Sequence, residues 1–171
     1  DDSFNDLYSK LQHTALTCIF RRGDNTMWFG AWDKFLYAYE QITGTEKTFK
    51  PTTAEPAIPT DETVSFTEDK RKSIWMACQN TGVAVYDRGA HKFTSYQHDG
   101  KDGSLIDNHV NAVYTVRSGI VWIGTDNGLS IHDPLYSPFQ QYFLPKEQDG
   151  KDITIFDFYR DEQYNLWMAT S

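Results

Sequence analysis

The sequence predicts an all-β protein, a partial ring of about three and a half β-propeller blades of four antiparallel strands, and three observations predict it. Four of the five tryptophans, Trp28, Trp75, Trp122 and Trp167, recur at intervals of 47, 47 and 45 residues. Each opens a similar tetrapeptide (Trp28-Phe29-Gly30-Ala31, Trp75-Met76-Ala77-Cys78, Trp122-Ile123-Gly124-Thr125, Trp167-Met168-Ala169-Thr170) that alternates as a strand does. Aromatic residues make up 15% of the chain, and such rings favour pleated, half-buried surfaces. Four short strands repeated at this period describe a propeller blade. The alternative is another repeated all-β stack; helical repeats would show a 3.6-residue period, which is absent.

Within each repeat the elements follow in a fixed order. A first strand precedes each tryptophan, at 16–20, 63–66, 110–114 and 153–158. Short polar links at 22–25, 69–72, 117–119 and 161–165 read as hairpin turns. The tryptophan strand is the second, and its small residue (Gly30 and Gly124 in two copies) lets a neighbouring sheet approach closely. Asn80-Thr81-Gly82 and Asp126-Asn127-Gly128 then place Gly82 and Gly128 where a turn wants positive φ. Third strands follow at 35–39, 83–87 and 129–133, and fourth strands at 47–49, 93–96 and 139–143.

The blades therefore span approximately 14–60, 61–107 and 108–151, with a half-blade at 152–171, all within a single partial propeller over 1–171. Residues 1–13 offer one stray outer strand with Phe4, Leu7 and Tyr8 as its apolar positions. A ring of typically 4–8 blades does not close with this inventory, so the remaining blades or another subunit must complete it. An open end would expose strand edges and an apolar face.

The composition excludes several function classes. Formal charge is −8, with 24 acidic against 16 basic residues, and no basic stripe is present to displace counterions from nucleic acid. The densest basic stretch, Lys70-Arg71-Lys72, is flanked by Glu68 and Asp69 and reads as a solvated turn. Apolar runs are only a few residues long, far short of the roughly 20 that cross a bilayer, so no direct membrane contact is expected of this segment. No signal-peptide pattern opens the chain, although a mature exported segment would look the same. Cys18 and Cys78 lie 60 positions apart without metal-ligand spacing; they read as small buried strand residues, and whether they pair stays open.

No catalytic set emerges. The five histidines are scattered, and Ser-His-Asp, Cys-His and zinc spacings are missing, so no catalytic residue, metal or cofactor is expected. Asp87 and Asp133 hold equivalent repeat positions and read as turn residues. The tetrapeptide Asp99-Gly100-Lys101-Asp102 recurs as Asp149-Gly150-Lys151-Asp152. It too reads as turn chemistry, with a calcium loop as the alternative.

Topology points to a binding face. Loops joining the second strand to the third, and the fourth to the next blade's first, emerge together and rim the central channel; loops on a rigid scaffold commonly carry function. The candidates are Trp32, Asp33, Lys34, Gln79, Asn80, Asp126 and Asn127, with His109 near the channel. Trp32 is the only tryptophan outside the repeat pattern. A solvent-facing indole beside Asp and Lys suits stacking on a sugar ring; packing against the next blade is the alternative.

The stretch Ser104-Leu105-Ile106-Asp107-Asn108-His109-Val110-Asn111-Ala112-Val113-Tyr114, followed by Gly119-Ile120-Val121-Trp122-Ile123-Gly124-Thr125-Asp126-Asn127-Gly128-Leu129-Ser130, resembles the two-component regulator propeller repeat. The copy at 63–87 matches more loosely, the copy at 15–40 loses the Gly-Leu pair, and the copy at 153–170 stops before it. The resemblance implies a sensor and not an enzyme: the periplasmic part of an inner-membrane bacterial hybrid two-component regulator. Such regulators typically carry two seven-bladed propellers and a β-sandwich outside the membrane, and kinase and response-regulator parts inside. It further implies an oligosaccharide or other small ligand, a homodimeric parent, and signalling by a ligand-biased shift between paired propellers. The rival readings are a structural or protein-interaction propeller and a polysaccharide-processing propeller enzyme.

Overall fold

Among the described residues, fourteen strands follow the predicted order. The computed structural model describes residues 9, 11–32, 36–49, 61–146 and 150–171, with 137 and 138 described by backbone alone. The first sheet contains β1 (Leu16–Arg21), β2 (Thr26–Ala31), β3 (Leu36–Glu40) and β4 (Thr45–Phe49). The second contains β5 (Thr63–Glu68), β6 (Ile74–Cys78), β7 (Gly82–Asp87) and β8 (Lys92–Tyr96). The third contains β9 (Val110–Thr115), β10 (Val121–Thr125), β11 (Gly128–Asp133) and β12 (Tyr136–Tyr142), and a final pair is β13 (Ile155–Arg160) with β14 (Leu166–Thr170). Each four-stranded sheet is an antiparallel meander in sequence order. The architecture is all-β and the sheets form part of a propeller ring. Among the described residues no helix is long and apolar enough to cross a membrane.

The first strands pack in succession, β1 against β5, β5 against β9 and β9 against β13, which makes them the inner strands. The core lies between sheets. Trp28, Phe66, Met76 and Tyr86 fill the first interface, and Trp75, Val83, Val113 and Ile123 fill the second. Ala112, Leu129, Ile155 and Phe158 fill the third, with Trp122 packed against them. Trp28, Trp75 and Trp122 therefore each face the sheet that follows. Ile74, Met76 and Ile123 are at most 1% exposed, and fully burying such a side chain is worth about 1.5–3 kcal/mol.

The small residue after each tryptophan acts as the sequence predicts. A Cβ on Gly30 would lie 2.5 Å from the Thr63 carbonyl, and one on Gly124 would lie 2.6 Å from Ile155 Cγ2. Inner strands also bond sideways: the Thr115 amide donates to Thr67 Oγ1 (3.1 Å) and the Val113 amide to Ser65 Oγ (3.3 Å). Gly82 and Gly128 have φ of 80° and 119°.

Some expectations change: β4 begins at Thr45 and not at 47, and β12 spans Tyr136–Tyr142 and not 139–143. The inner strand of the last pair begins at Ile155 and not at residue 153, because the Thr154 carbonyl instead accepts the Ser171 amide at 3.2 Å. For residues 1–13, Phe4, Leu7 and Tyr8 lie outside the described residues, while Ser9 and Leu11 are helical where an outer strand was expected. Leu11 packs against Phe29, Ala31, Tyr37 and Tyr39, on the first sheet's face away from the second.

Tyr159 and Trp167 pair across β13 and β14 on the face turned from the third sheet. They are 66% and 61% exposed, whereas Trp28 and Trp75, each under a following sheet, are both 3% exposed.

Candidate functional site

One backbone device recurs at the end of the sheets where the candidate loops emerge. The amide four residues after each repeat tryptophan donates to the carbonyl just before that blade's inner strand. These bonds are Trp32 to Ala15 (2.9 Å), Gln79 to Glu62 (3.0 Å), Asp126 to His109 (3.2 Å) and Ser171 to Thr154 (3.2 Å). The repeat thus pins Trp32, Gln79 and Asp126 at equivalent places on one face, with His109 bonded beside Asp126. Trp32 is 63% exposed and Asn80 is also exposed. Asp33 and Lys34 lie outside the described residues.

Within the third blade the candidates converge. His109 Nε2 stands 3.8 Å from Asp126 Oδ2, and Asn111 Nδ2 donates to Asp126 Oδ1 (2.8 Å) and to the Ile155 carbonyl (3.2 Å). The Asp107 carboxylate accepts the His109 amide at 3.1 Å, and the Asn127 amide donates to Thr125 Oγ1 at 3.2 Å. A carboxylate, an imidazole and a primary amide therefore share one edge, a set suited to hydroxyl-rich ligands. Gln79 and Trp32 stay on their own blades.

The alternation also exposes a residue that sequence reading passed over. Glu62 occupies the place of His109 one repeat earlier, and its Oε2 is buried without a protein hydrogen-bond partner. Counting 47 residues back from His109 would have found it.

Two cavities lie between blades at the opposite end, and none of the candidate residues lines either. One, of about 290 Å³, sits between the first and second blades and includes Arg22, Thr26, Trp28, Phe49 and Tyr86. The other, of about 910 Å³, lies between the second and third and includes Trp75, Tyr96, Ser118 and His132. Trp75 stacks on Tyr96 at 6.0 Å and meets His132 at 4.8 Å. Burial, which penalises the charged imidazolium, holds the His132 pKa below its ordinary value against the pull of Asp69.

Around the smaller cavity Arg22 pairs with Glu68 and, at 2.9 Å, with Asp24. Burial would raise the Glu68 pKa, but hydrogen bonds from Arg22 and Lys72, and their charge, outweigh it and hold the carboxyl below its usual range. Lys72 reaches Glu68 at 2.8 Å, from the turn that the sequence reads as solvated.

The remaining acidic positions serve turns. Asp87 Oδ1 accepts the Gly89 and Ala90 amides (2.8 and 3.0 Å), and Asp133 Oδ1 accepts that of Leu135 (2.9 Å). Asp99 accepts the Lys101 amide at 3.0 Å, which is turn chemistry, while Asp149 of the matching tetrapeptide lies outside the described residues. Among the described residues no group of three or more His, Cys, Asp or Glu side chains is placed to hold a metal. Cys18 and Cys78 are free thiols.

Residues 104–127, which run from the loop before β9 through its hairpin to Asp126 and Asn127, match the family model described as two component regulator propeller. That segment is similar to a two-component regulator propeller repeat. Over 144 residues, 78% of the chain, it is 26% identical to histidine kinase P4 of Formosa agariphila. The match covers 10% of that protein, so the chain spans about a tenth of its curated relative. Solved structures agree on the fold. A chain named for the extracellular domain of a hybrid two component system of B. thetaiotaomicron aligns with TM-score 0.73 and 20% identity, over 90% of this chain and 22% of that one. Virginiamycin B lyase from Staphylococcus aureus aligns with TM-score 0.68 and 11% identity, over 91% of this chain and 49% of that one. At such identities the likeness is one of propeller architecture.

Proposed function

We propose that this chain is a non-catalytic, ligand-sensing propeller segment of a hybrid two-component regulator, displayed in the periplasm and recognising an oligosaccharide at its loop face. The observation that carries the reading is the two-component regulator propeller repeat at 104–127, in a chain similar over most of its length to a histidine kinase. The extracellular domain found among the structural neighbours supports a place outside the cytoplasm.

Trp32 supplies an exposed indole for the C–H face of a sugar, and Gln79, Asn80, Asp126, Asn127 and His109 supply hydroxyl partners on the same face. The exposed pair Tyr159 and Trp167 is the seat of a further blade, in this protein or another subunit. Ligand across several loops would bias one arrangement of paired propellers over another and pass that bias to the kinase.

Two measurements test this. The parent gene should encode a membrane span followed by histidine-kinase motifs; a secreted parent with neither sinks the sensor reading. Calorimetric titration with defined oligosaccharides should show saturable binding that Trp32→Ala weakens by roughly tenfold, the loss of one aromatic contact. Unchanged affinity in that variant removes Trp32 from the site.

A further inference from the structure

A box of four aromatic rings sits between blades twice, and the two copies differ at their polar edges. Between the first and second blades the rings are Trp28, Phe49, Tyr86 and Phe93, with contacting centroids 4.7 to 5.6 Å apart. Between the second and third they are Trp75, Tyr96, His132 and Phe139, at 4.8 to 6.0 Å. The strand registers match the two sets. Tyr96 stands where the first box has Phe49, and His132 where it has Tyr86.

Those exchanges bring open polar atoms to the second box. In the first, the Tyr86 hydroxyl is satisfied by a hydrogen bond with His91 Nδ1 at 3.1 Å. In the second, among the described residues, neither the Tyr96 hydroxyl nor a His132 ring nitrogen has a hydrogen-bond partner, and none of these atoms is sealed from solvent. Both side chains are half-buried and line the cavity of about 910 Å³.

The lining restricts what can enter. That volume lies toward the top of the roughly 300–1,000 Å³ range of small-molecule pockets and has room for more than one ring. Three carboxylates, Asp69, Asp87 and Asp133, line it against two cations, Lys70 and Arg71, so an anion would meet no surplus of positive charge. Asp69 spends both oxygens on Trp75 Nε1 and the Arg71 and Ser73 amides, while Asp87 and Asp133 each hold a turn. The remaining polar side chains, Tyr96, His132, Thr94 and Ser118, are hydroxyls and an imidazole that burial keeps neutral at about pH 7. Such groups both donate and accept. An ammonium group would use only their acceptors and a carboxylate only their donors, whereas a ligand hydroxyl uses both. Val85 and Ile120 add apolar surface for the C–H groups of a ring.

We propose that the cavity between the second and third blades is a ligand site, separate from the loop face, for a neutral hydroxyl-rich molecule of about disaccharide size. Tyr96 and His132 hydrogen-bond its hydroxyls, and Trp75 and Phe139, 3% and 8% exposed, hold those two rings in place from behind.

Cellobiose, maltose and lactose, each titrated into the ¹⁵N-labelled full chain, provide the test, with the His132 ring and the Trp32 indole followed by NMR. At least one sugar should shift the His132 signals saturably. Tyr96→Phe, which restores the residue of the first box, should weaken that binding roughly fivefold, the loss of one hydrogen bond. If Tyr96→Phe does not fold, His132→Phe, expected to weaken binding at least as much, carries the comparison. The proposal is overturned if none of the three sugars shifts His132, or if the folded variant binds as the parent does. Saturable shifts confined to the Trp32 indole would also overturn it, and would leave the loop-face reading standing. A His132 response without a Trp32 response supports this site even where the loop-face reading fails.

Discussion

Replacing Trp75 by Phe and Asp69 by Ala, singly and together, tests whether the indole-to-carboxylate bond secures the second blade. Trp75 is 3% exposed and donates to Asp69 Oδ2 at 2.9 Å, while Asp69 Oδ1 accepts the Arg71 and Ser73 amides at 2.8 and 2.9 Å. Trp75→Phe removes ring volume and one bond to a charged acceptor, the bond alone being worth about 1.5–3 kcal/mol. Asp69→Ala removes the same bond and two turn contacts. The shared term appears in the double-mutant cycle as a coupling of about 1.5 kcal/mol or more. Urea unfolding followed by circular dichroism measures all four proteins. Trp28→Phe, with a stacked ring like Trp75 but no acceptor for its N–H, should cost less than Trp75→Phe by about the same bond energy. A coupling below about 0.5 kcal/mol, within ordinary non-additivity, would refute the reasoning. So would equal losses for the two Trp→Phe variants.

Stability should also depend on pH through Glu68, whose folded pKa lies below its ordinary 4.5. The folded state then binds the proton less readily than the unfolded chain, so the contribution is complete above about pH 4.5 and fades as pH falls through the folded value; Glu68→Gln should flatten that part of a urea-midpoint profile. Burial pushes the Cys78 thiol up to about 12 and that of Cys18 to about 11. Both should resist iodoacetamide at pH 8 in the native chain and react once it is unfolded; rapid native labelling of Cys78 would contradict its burial.

The strand order was legible because a propeller blade writes its geometry locally. Trp28, Trp75 and Trp122 each mark the second strand of a sheet, and Gly30 and Gly124 admit the neighbouring blade at the positions the alternation predicts. Turn roles for Asp87, Asp99 and Asp133 were legible for the same reason, since an Asx turn needs only its own next few residues. The candidate loops were legible as a face, because the amide four residues after each tryptophan always returns to the start of its blade. Their meeting across that face was not: His109 reaches Asp126 through the hairpin register, and Glu62 joins the set only when repeats are superposed.

By itself, then, the sequence determined the fold class, the repeat period and the end of the sheets on which Trp32, Asp126 and His109 stand. Periodic burial and turn chemistry are short-range constraints, and a repeated chain states them several times over. Only the tertiary structure decided which polar groups find partners. Arg22 reads in the sequence as one more residue of a polar turn. In the folded chain it turns to Glu68, 46 residues away, and to Asp24, leaving the Trp28 indole without the carboxylate that Trp75 has. That difference depends on how two blades meet, which no single repeat specifies.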